Sequence, residues 1–292
     1  MNVAKRTISL VLTLVMLISL ACTGMWTPHV HAEESSHLDD LTVVHVNPIY
    51  ADTITAEDLE KPNHNLLYGD NTDDEYYYDV ETAGEMIRDD LVARDTTIVV
   101  DIYGNYTSQE TLQDDAFAMI YDVLAVAMKH TGNPVEGDYI LWQYAGFEAN
   151  MTDAYYNSNS STLYMTLTFT MTYHANAAQE AEVNAAVTKL LGELNVSQKD
   201  DYTKLKAIYD YITSNVTYDH ANKNNNYKLK HSAYAALINK TAVCQGYALL
   251  LYRLALELGV DCRLIPGTAN GEGHGWNIAK LGNHYYNLDS TW

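Results

Sequence analysis

Cys244 has surroundings that suit a nucleophile. It opens an apolar stretch, residues 243–258, that predicts a buried central helix. Backbone N–H groups and the positive dipole end at a helix start favour a thiolate, and the same groups can stabilise an oxyanion. The adjacent Gln245 and Gly246 are therefore candidate residues of the substrate cleft or oxyanion site. The alternative is that Cys244 is simply a small buried residue, which is common for an isolated free cysteine.

Two residues further along the chain can supply the base and the acid that a cysteine nucleophile needs. His274 lies between two glycines at the start of a predicted strand, and histidine titrates near neutrality. Trp276 follows it and is a candidate for the wall of the cleft. Asp289 lies on the next predicted strand, where its carboxylate can orient the imidazole ring.

The turn between these two strands decides whether the histidine and the aspartate can meet. If Gly282-Asn283 is a two-residue turn, Asp289 faces Trp276 and becomes the diagonal neighbour of His274 on one face of the sheet. A slip of one residue would place the two side chains on opposite faces. The triad therefore predicts the two-residue register, which also turns His284 away from Asp289 and excludes it as the base.

Other residues offer less chemistry. Cys262 lies on a predicted short strand with no helix start nearby, which indicates a packed core residue. His231 has no nearby acid in sequence, which favours a surface role. The sequence contains neither HExxH nor CxxC, and no glycine-rich phosphate loop opens a helix after a strand. Neither a metal nor another cofactor is therefore expected.

Residues 1–32 have the features of a secretory signal peptide. Lys5 and Arg6 precede the apolar run Ile8–Ala21, and Val30-His31-Ala32 is a small-x-small cleavage signal. The run is shorter than the roughly 18 residues of a membrane span, so no stable membrane insertion is expected once the signal is removed. Removal changes the net charge from −21 to −23, which excludes nucleic acid as a partner. We expect a secreted protein, with association to the cell surface as a variant.

The mature chain divides into three predicted segments. Residues 33–79 are extended and acidic, and residues 80–195 have the patterns of an α+β accessory domain that serves as a scaffold or positions substrate. Residues 196–292 predict a second domain in which the cysteine-bearing helix packs on an antiparallel sheet. The local predictions include a capping box at 107–110, a strand at 138–147, an alternating strand at 162–173, a helix at 176–194 and a flexible loop at 267–273.

Three separated motifs resemble one family. The runs AVCQGYALLLYRLALELGV, GTANGEGHGWNIAKL and YYNLDSTW resemble the transglutaminase-like superfamily of papain-related cysteine enzymes, in particular its secreted bacterial members. The resemblance spans roughly residues 200–292. It implies that Cys244 is the nucleophile, His274 the base and Asp289 the orienting acid. Tyr218 lies near the position where such domains carry an upstream aromatic residue, which makes it an oxyanion candidate.

The sequence departs from the family pattern at two places. Gly275 stands where a small alanine often follows the histidine, a change that the fold should tolerate. The sequence stops at Trp292, directly after the third motif, whereas relatives usually continue. We therefore expect the domain at 196–292 to be truncated at its C-terminus.

The resemblance implies a thiol enzyme that acts on peptide or side-chain amide bonds through an acyl-enzyme. Its partner would be a protein or peptide substrate, with cell-wall peptide as one candidate. Hydrolysis is favoured over transfer to an amine, because secreted bacterial relatives are often proposed to be peptidases. The alternatives are a protein-crosslinking acyltransferase and an inactive cell-surface or cell-wall binding protein with the same fold. The presence of all three triad residues favours the enzyme.

Overall fold

The computed structural model describes residues 77–108, 110–157 and 160–292, together with the backbone of strands at 29–31 and 42–46. Nearly all of the predicted signal peptide and acidic segment lies outside these residues, so both stay predictions. The described residues combine helices with mainly antiparallel sheets, which confirms the predicted α+β class.

Six strands form the first sheet of the described chain. In chain order they are β1 (His29–His31), β2 (Thr42–Val46), β3 (Tyr78–Asp79), β4 (Thr97–Asn105), β5 (Tyr144–Asn157) and β6 (Thr162–Tyr173). They lie side by side in the order β1-β2-β5-β6-β4-β3. The helices α1 (Val80–Ala93) and α2 (Leu112–Ala127) pack against this sheet. The predicted alternation in β6 is confirmed, because Leu163, Met165, Leu167, Phe169 and Met171 all enter the core shared with these helices.

The predicted capping box at residues 107–110 is wrong. Helix α2 begins later, and the preceding Thr111 makes no side-chain capping bond. The carboxylate of Asp115 instead accepts hydrogen bonds from the Thr107 N–H at 2.7 Å and from the Thr111 hydroxyl at 2.9 Å. An acid in the first turn of the helix therefore binds the preceding loop and sets the helix start.

The predicted strand at residues 138–147 is wrong over its first half. Asp138–Leu141 form a short helix, α3, and β5 begins only at Tyr144. Side chains from this segment enter two different cores: Tyr139 and Trp142 pack in one, and Ile140 in the other. A short apolar run that is buried on all sides shows no readable period, so a helical turn cannot be distinguished from a strand by pattern alone.

The second half of the described chain surrounds one buried helix. The helices are α4 (Ala177–Leu194), α5 (Asp201–Asn215), α6 (Ala233–Leu237) and α7 (Cys244–Glu257), and a 3₁₀ turn covers Lys228–His231. The strands are β7 (Thr217–Tyr218), β8 (Thr241–Ala242), β9 (Cys262–Ala269), β10 (Glu272–Leu281) and β11 (His284–Leu288). β7 and β8 pair in parallel, and the other three form an antiparallel sheet in the order β11-β10-β9. Helix α7 packs against this sheet and is buried on nearly every side, as predicted.

Helix α4 belongs to the second core. Its start is fixed by a capping box between Asn176 and Gln179, and its buried Val183, Val187 and Leu190 pack with α5, α6 and α7. The predicted domain border at residue 195 therefore falls after a helix that packs with the second half of the chain.

A buried ionic group joins the two halves. The Glu180 carboxylate of α4 lies 3.3 Å from the guanidinium of Arg94, just after α1, and 3.5 Å from that of Arg253 on α7. Tyr139 of α3 donates a hydrogen bond of 2.7 Å to the same carboxylate. All four residues are buried, so each charge depends on this pairing in place of water.

Most of the loop predicted at residues 267–273 is strand. β9 continues to Ala269, β10 begins at Glu272, and these two residues pair directly. Only Asn270 and Gly271 form the turn, and both have positive φ, of 55° and 83°. Asn-Gly is the preferred sequence for a two-residue hairpin turn of this kind. The prediction of a flexible loop did not take this sequence signal into account.

Candidate active site

The start of helix α7 places Cys244. The preceding Val243 is extended, and its N–H donates to the carbonyl of Lys230 at 3.1 Å, which ends the loop and begins the helix. Asn277 of β10 is fully buried and donates to the Ala248 carbonyl at 3.0 Å, which links the sheet to the first turns of the helix. Cys244 itself is a free, partly exposed thiol at the first helical position.

The hairpin of β10 and β11 brings His274 and Asp289 together. Leu281 pairs with His284, which confirms the predicted two-residue turn and its register. His274 Nε2 and Asp289 Oδ2 lie 2.7 Å apart. The diagonal placement deduced from the turn length is therefore the placement that the structure has.

The aspartate is held from two further directions. Its Oδ1 accepts the Thr291 N–H at 3.1 Å, and its backbone carbonyl accepts the hydroxyl of Tyr209 on α5 at 2.8 Å. These contacts fix the carboxylate after the end of β11, so Asp289 can hold the imidazole in one orientation.

The electrostatics of His274 favour its charged form. Its pKa is raised from 6.5 to about 9, chiefly by a side-chain hydrogen bond with Cys244. Burial of the ring opposes this, while the hydrogen bond to Asp289 and the charges of both partners add to it. The three residues therefore form a continuous cysteine–histidine–aspartate array.

Two tryptophan rings lie beside the imidazole. The ring centroids of Trp276 and Trp292 are 6.0 Å and 5.8 Å from that of His274. Trp276 is partly buried, and its Nε1–H donates to Asn287 Oδ1 at 3.1 Å, so it lies at the site as the sequence predicted. Trp292 was not foreseen as a site residue. The reason is the register of β10 and β11, which returns residues 289–292 to the side of His274.

Tyr218 lies next to the nucleophile. Strand β7 pairs with β8 through Tyr218 and Ala242, so the phenol is held beside the start of α7. Its pKa is raised to about 12, first by burial and then by the charges of Cys244 and Glu272, and a hydrogen bond from the Cys244 backbone opposes this. The phenol therefore keeps its proton near neutral pH and can donate a hydrogen bond to a developing oxyanion.

Two of the cleft candidates do not line the cleft with their side chains. The Gln245 side chain is buried, and its Nε2 donates to the carbonyl of Trp142 in the first half of the chain. Gly246 faces inward, where an added Cβ would lie 2.8 Å from the Ser232 carbonyl and 2.7 Å from the Ala242 Cβ. A glycine is needed there for packing, not for the approach of a substrate. Sequence neighbours of the cysteine diverge because successive helical residues point about 100° apart.

The loop that contains Asn222, Lys223 and Asn225 borders the site. The Lys230 side chain is 1% exposed, and its ammonium donates to the carbonyls of Asn222, Lys223 and Asn225. Lys223 in turn forms an ion pair with Glu272 at the start of β10, two residues before the catalytic candidate His274. The loop and the β9–β10 hairpin are thereby joined at the edge of the site.

The remaining sequence candidates resolve clearly. Cys262 is buried, and burial raises the pKa of its thiol, so it is the unreactive cysteine of the pair. The surface role suggested for His231 is wrong, because burial lowers its pKa to about 2 and its ring lies 5.2 Å from that of the buried His174.

In the described segments, no cluster of three or more histidine, cysteine, aspartate or glutamate residues is suited to a metal ion. None of the helices described there is long and apolar enough to cross a membrane.

Cysteine at a helix start, facing a histidine–aspartate pair on an antiparallel sheet, characterises the second half of the chain. Residues 188–290 match the family model of the transglutaminase-like superfamily. The match confirms, for this part of the chain, the resemblance predicted from the three motifs.

Known proteins with similarity to the chain include the kyphoscoliosis peptidases of Mus musculus and Homo sapiens. The mouse protein is 25% identical over 210 residues, which are 66% of this chain and 31% of the relative. The human protein is 25% identical over 127 residues, or 39% of this chain and 19% of the relative. The chain thus spans less than a third of either relative. A crystal structure described as a TGase is 15% identical, with 66% of this chain and 51% of that chain covered and a TM-score of 0.34.

Proposed function

We propose that the protein is a secreted thiol enzyme that cleaves amide bonds of a protein or peptide substrate through Cys244, His274 and Asp289. The observation that carries the proposal is the position of the His274 ring, whose Nε2 lies 2.7 Å from Asp289 Oδ2 and whose pKa is raised chiefly by Cys244 at the start of α7. The match to the transglutaminase-like superfamily supports this class of chemistry.

The proposed reaction begins with attack of the Cys244 sulfur on the carbonyl carbon of the amide. The proton held by His274 passes to the leaving amine, and a thioester remains on the enzyme. The Tyr218 hydroxyl, beside Cys244 at the start of α7, is the donor that we assign to the oxyanion. Water, deprotonated by His274, then releases the acid and restores the thiol.

Hydrolysis is the outcome that we propose for the acyl-enzyme. The name peptidase, which both similar curated proteins carry, supports this choice. Transfer of the acyl group to an amine would use the same first step, so the two activities differ only in the second nucleophile.

Reaction of the purified protein with iodoacetamide, followed by peptide mapping, tests the proposal. We expect fast labelling of Cys244, no such labelling in Cys244→Ala, slower labelling in His274→Ala and unchanged labelling in Cys262→Ala. Equal and slow modification of Cys244 and Cys262 would contradict the proposed function.

A glutamine-containing peptide, supplied with and without a primary amine, distinguishes the two enzyme classes. Hydrolysis predicts release of ammonia or of a cleaved peptide at the same rate in both reactions. Incorporation of the amine into the peptide would show the protein to be an acyltransferase.

A further inference from the structure

Trp142 contacts the two elements that carry Cys244 and His274, although it lies in the first half of the chain. It follows α3, is 3% exposed and belongs to the core that surrounds α7. Its backbone carbonyl accepts the side-chain amide of Gln245, the residue directly after Cys244. Its indole ring lies over Gly275, the residue directly after His274, where an added Cβ would be 3.0 Å from Cζ3.

The position of Trp142 is itself fixed by the sheet. Asp138, at the start of α3, receives two hydrogen bonds from Arg263 at 2.7 and 2.8 Å and a third from the Leu264 N–H at 2.9 Å. Leu264 lies on β9 and pairs with Asn277 of β10, the strand that carries His274. The segment that bears Trp142 is thus attached to the same sheet that carries His274.

We propose that Trp142 is a positioning residue that sets the spacing between Cys244 and His274. The inference rests on the proposed function, because it assigns Trp142 a part in that reaction. The ring packs against β10 directly beside His274, and the carbonyl holds the first turn of α7. Transfer of a proton between sulfur and imidazole requires a close and aligned contact, so a small change in this spacing slows the reaction strongly. Trp142 lies outside residues 188–290, the part of the chain that the family model covers.

Gly275→Ala, Trp142→Phe and the double variant test the inference. The alanine methyl meets the outer ring atoms of the indole, and phenylalanine lacks the second ring that carries them. We expect Gly275→Ala to slow iodoacetamide labelling of Cys244 about 10-fold, and the double variant to recover most of this loss. We also expect both single variants to shift the midpoint of the labelling pH profile, because the Cys244–His274 hydrogen bond is altered.

Tyr139→Phe is the matched control. It removes a buried hydrogen bond to Glu180 from a residue three positions before Trp142 and leaves the Trp142 ring and carbonyl unchanged. It should lower the thermal midpoint yet leave the pH profile of labelling unchanged. Gln245→Leu supplies a second test that leaves the ring in place, and it should slow labelling in the same direction.

The two proposals fail differently. If the wild-type protein shows no fast labelling of Cys244, the proposed function itself is wrong. If the wild type reacts fast but the Gly275 and Trp142 changes are additive, with the pH profile of wild type in every variant, Trp142 only packs the core and the inference is overturned. If a Trp142 variant does not fold, Gly275→Ala and Gln245→Leu decide the matter, and wild-type profiles in both would overturn it.

Discussion

At the scale of single residues, the charge on His274 is the property that most distinguishes this site. Its pKa of about 9 lies well above the ordinary 6.5, with Cys244 as the first cause and Asp289 as a further one. A raised pKa means that the folded protein holds this proton more tightly than the unfolded chain does. The resulting contribution to stability is complete below about pH 6.5 and is lost as the pH rises through 9.

Asp289→Ala should lower the pKa of His274. The substitution removes both a hydrogen bond and a negative charge from the ring, while the contact with Cys244 stays in place. We expect the pKa to move from about 9 towards 6.5, as followed by NMR of the imidazole protons across a pH titration. Asp261→Ala, which removes an exposed carboxylate away from the site, is the control. An unchanged His274 titration in Asp289→Ala would show that this carboxylate has no influence on the ring.

At the scale of elements, the length of one turn controls the site. His274 and Asp289 share a face of the hairpin because Gly282 and Asn283 form a two-residue turn. Residue types alone suggested the triad, and counting positions across this turn gave its geometry. The sequence pattern failed at α3, which was predicted as part of a strand, because its short apolar run has no clear period.

Insertion of one glycine between Gly282 and Asn283 should abolish the site while it preserves the fold. The extra residue turns the side chains of β11 to the opposite face, so Asp289 can no longer reach His274. We expect labelling of Cys244 to slow at least as much as in Asp289→Ala, with the far-ultraviolet circular dichroism of the wild type. Asn283→Gly keeps the turn length and should retain fast labelling. Wild-type reactivity in the insertion variant would disprove the role of the register.

At the scale of the whole molecule, the two halves share structure that the sequence did not reveal. The three motifs and their order could be read from local pattern, because each depends on a helix start or a strand alternation. The contacts of Trp142 with Gln245 and of Glu180 with two arginines could not, because they join residues far apart in the chain. The inward-facing Gly246 was misjudged for the same reason, since only its tertiary neighbours explain it.

Glu180→Gln should destabilise the protein as one unit. It leaves the buried guanidinium groups of Arg94 and Arg253 without their shared anion, which costs about 3–5 kcal/mol. We expect the urea midpoint to fall in a single transition detected at both tyrosine and tryptophan wavelengths. Glu182→Gln, on the exposed face of the same helix, should change the free energy of unfolding by less than about 0.5 kcal/mol. Two separate transitions in the Glu180 variant would mean that the halves unfold independently.

The ion pair between Lys223 and Glu272 has a consequence for the medium in which the protein works. Both side chains are substantially exposed, so dissolved ions screen their attraction, and the Debye length falls from about 10 Å at 0.1 M salt to about 3 Å at 1 M. The loop is held internally by the buried Lys230, and the Lys223–Glu272 pair joins it to the hairpin. Concentrated salt therefore weakens this link at the edge of the site more than it weakens the largely buried contact between His274 and Asp289.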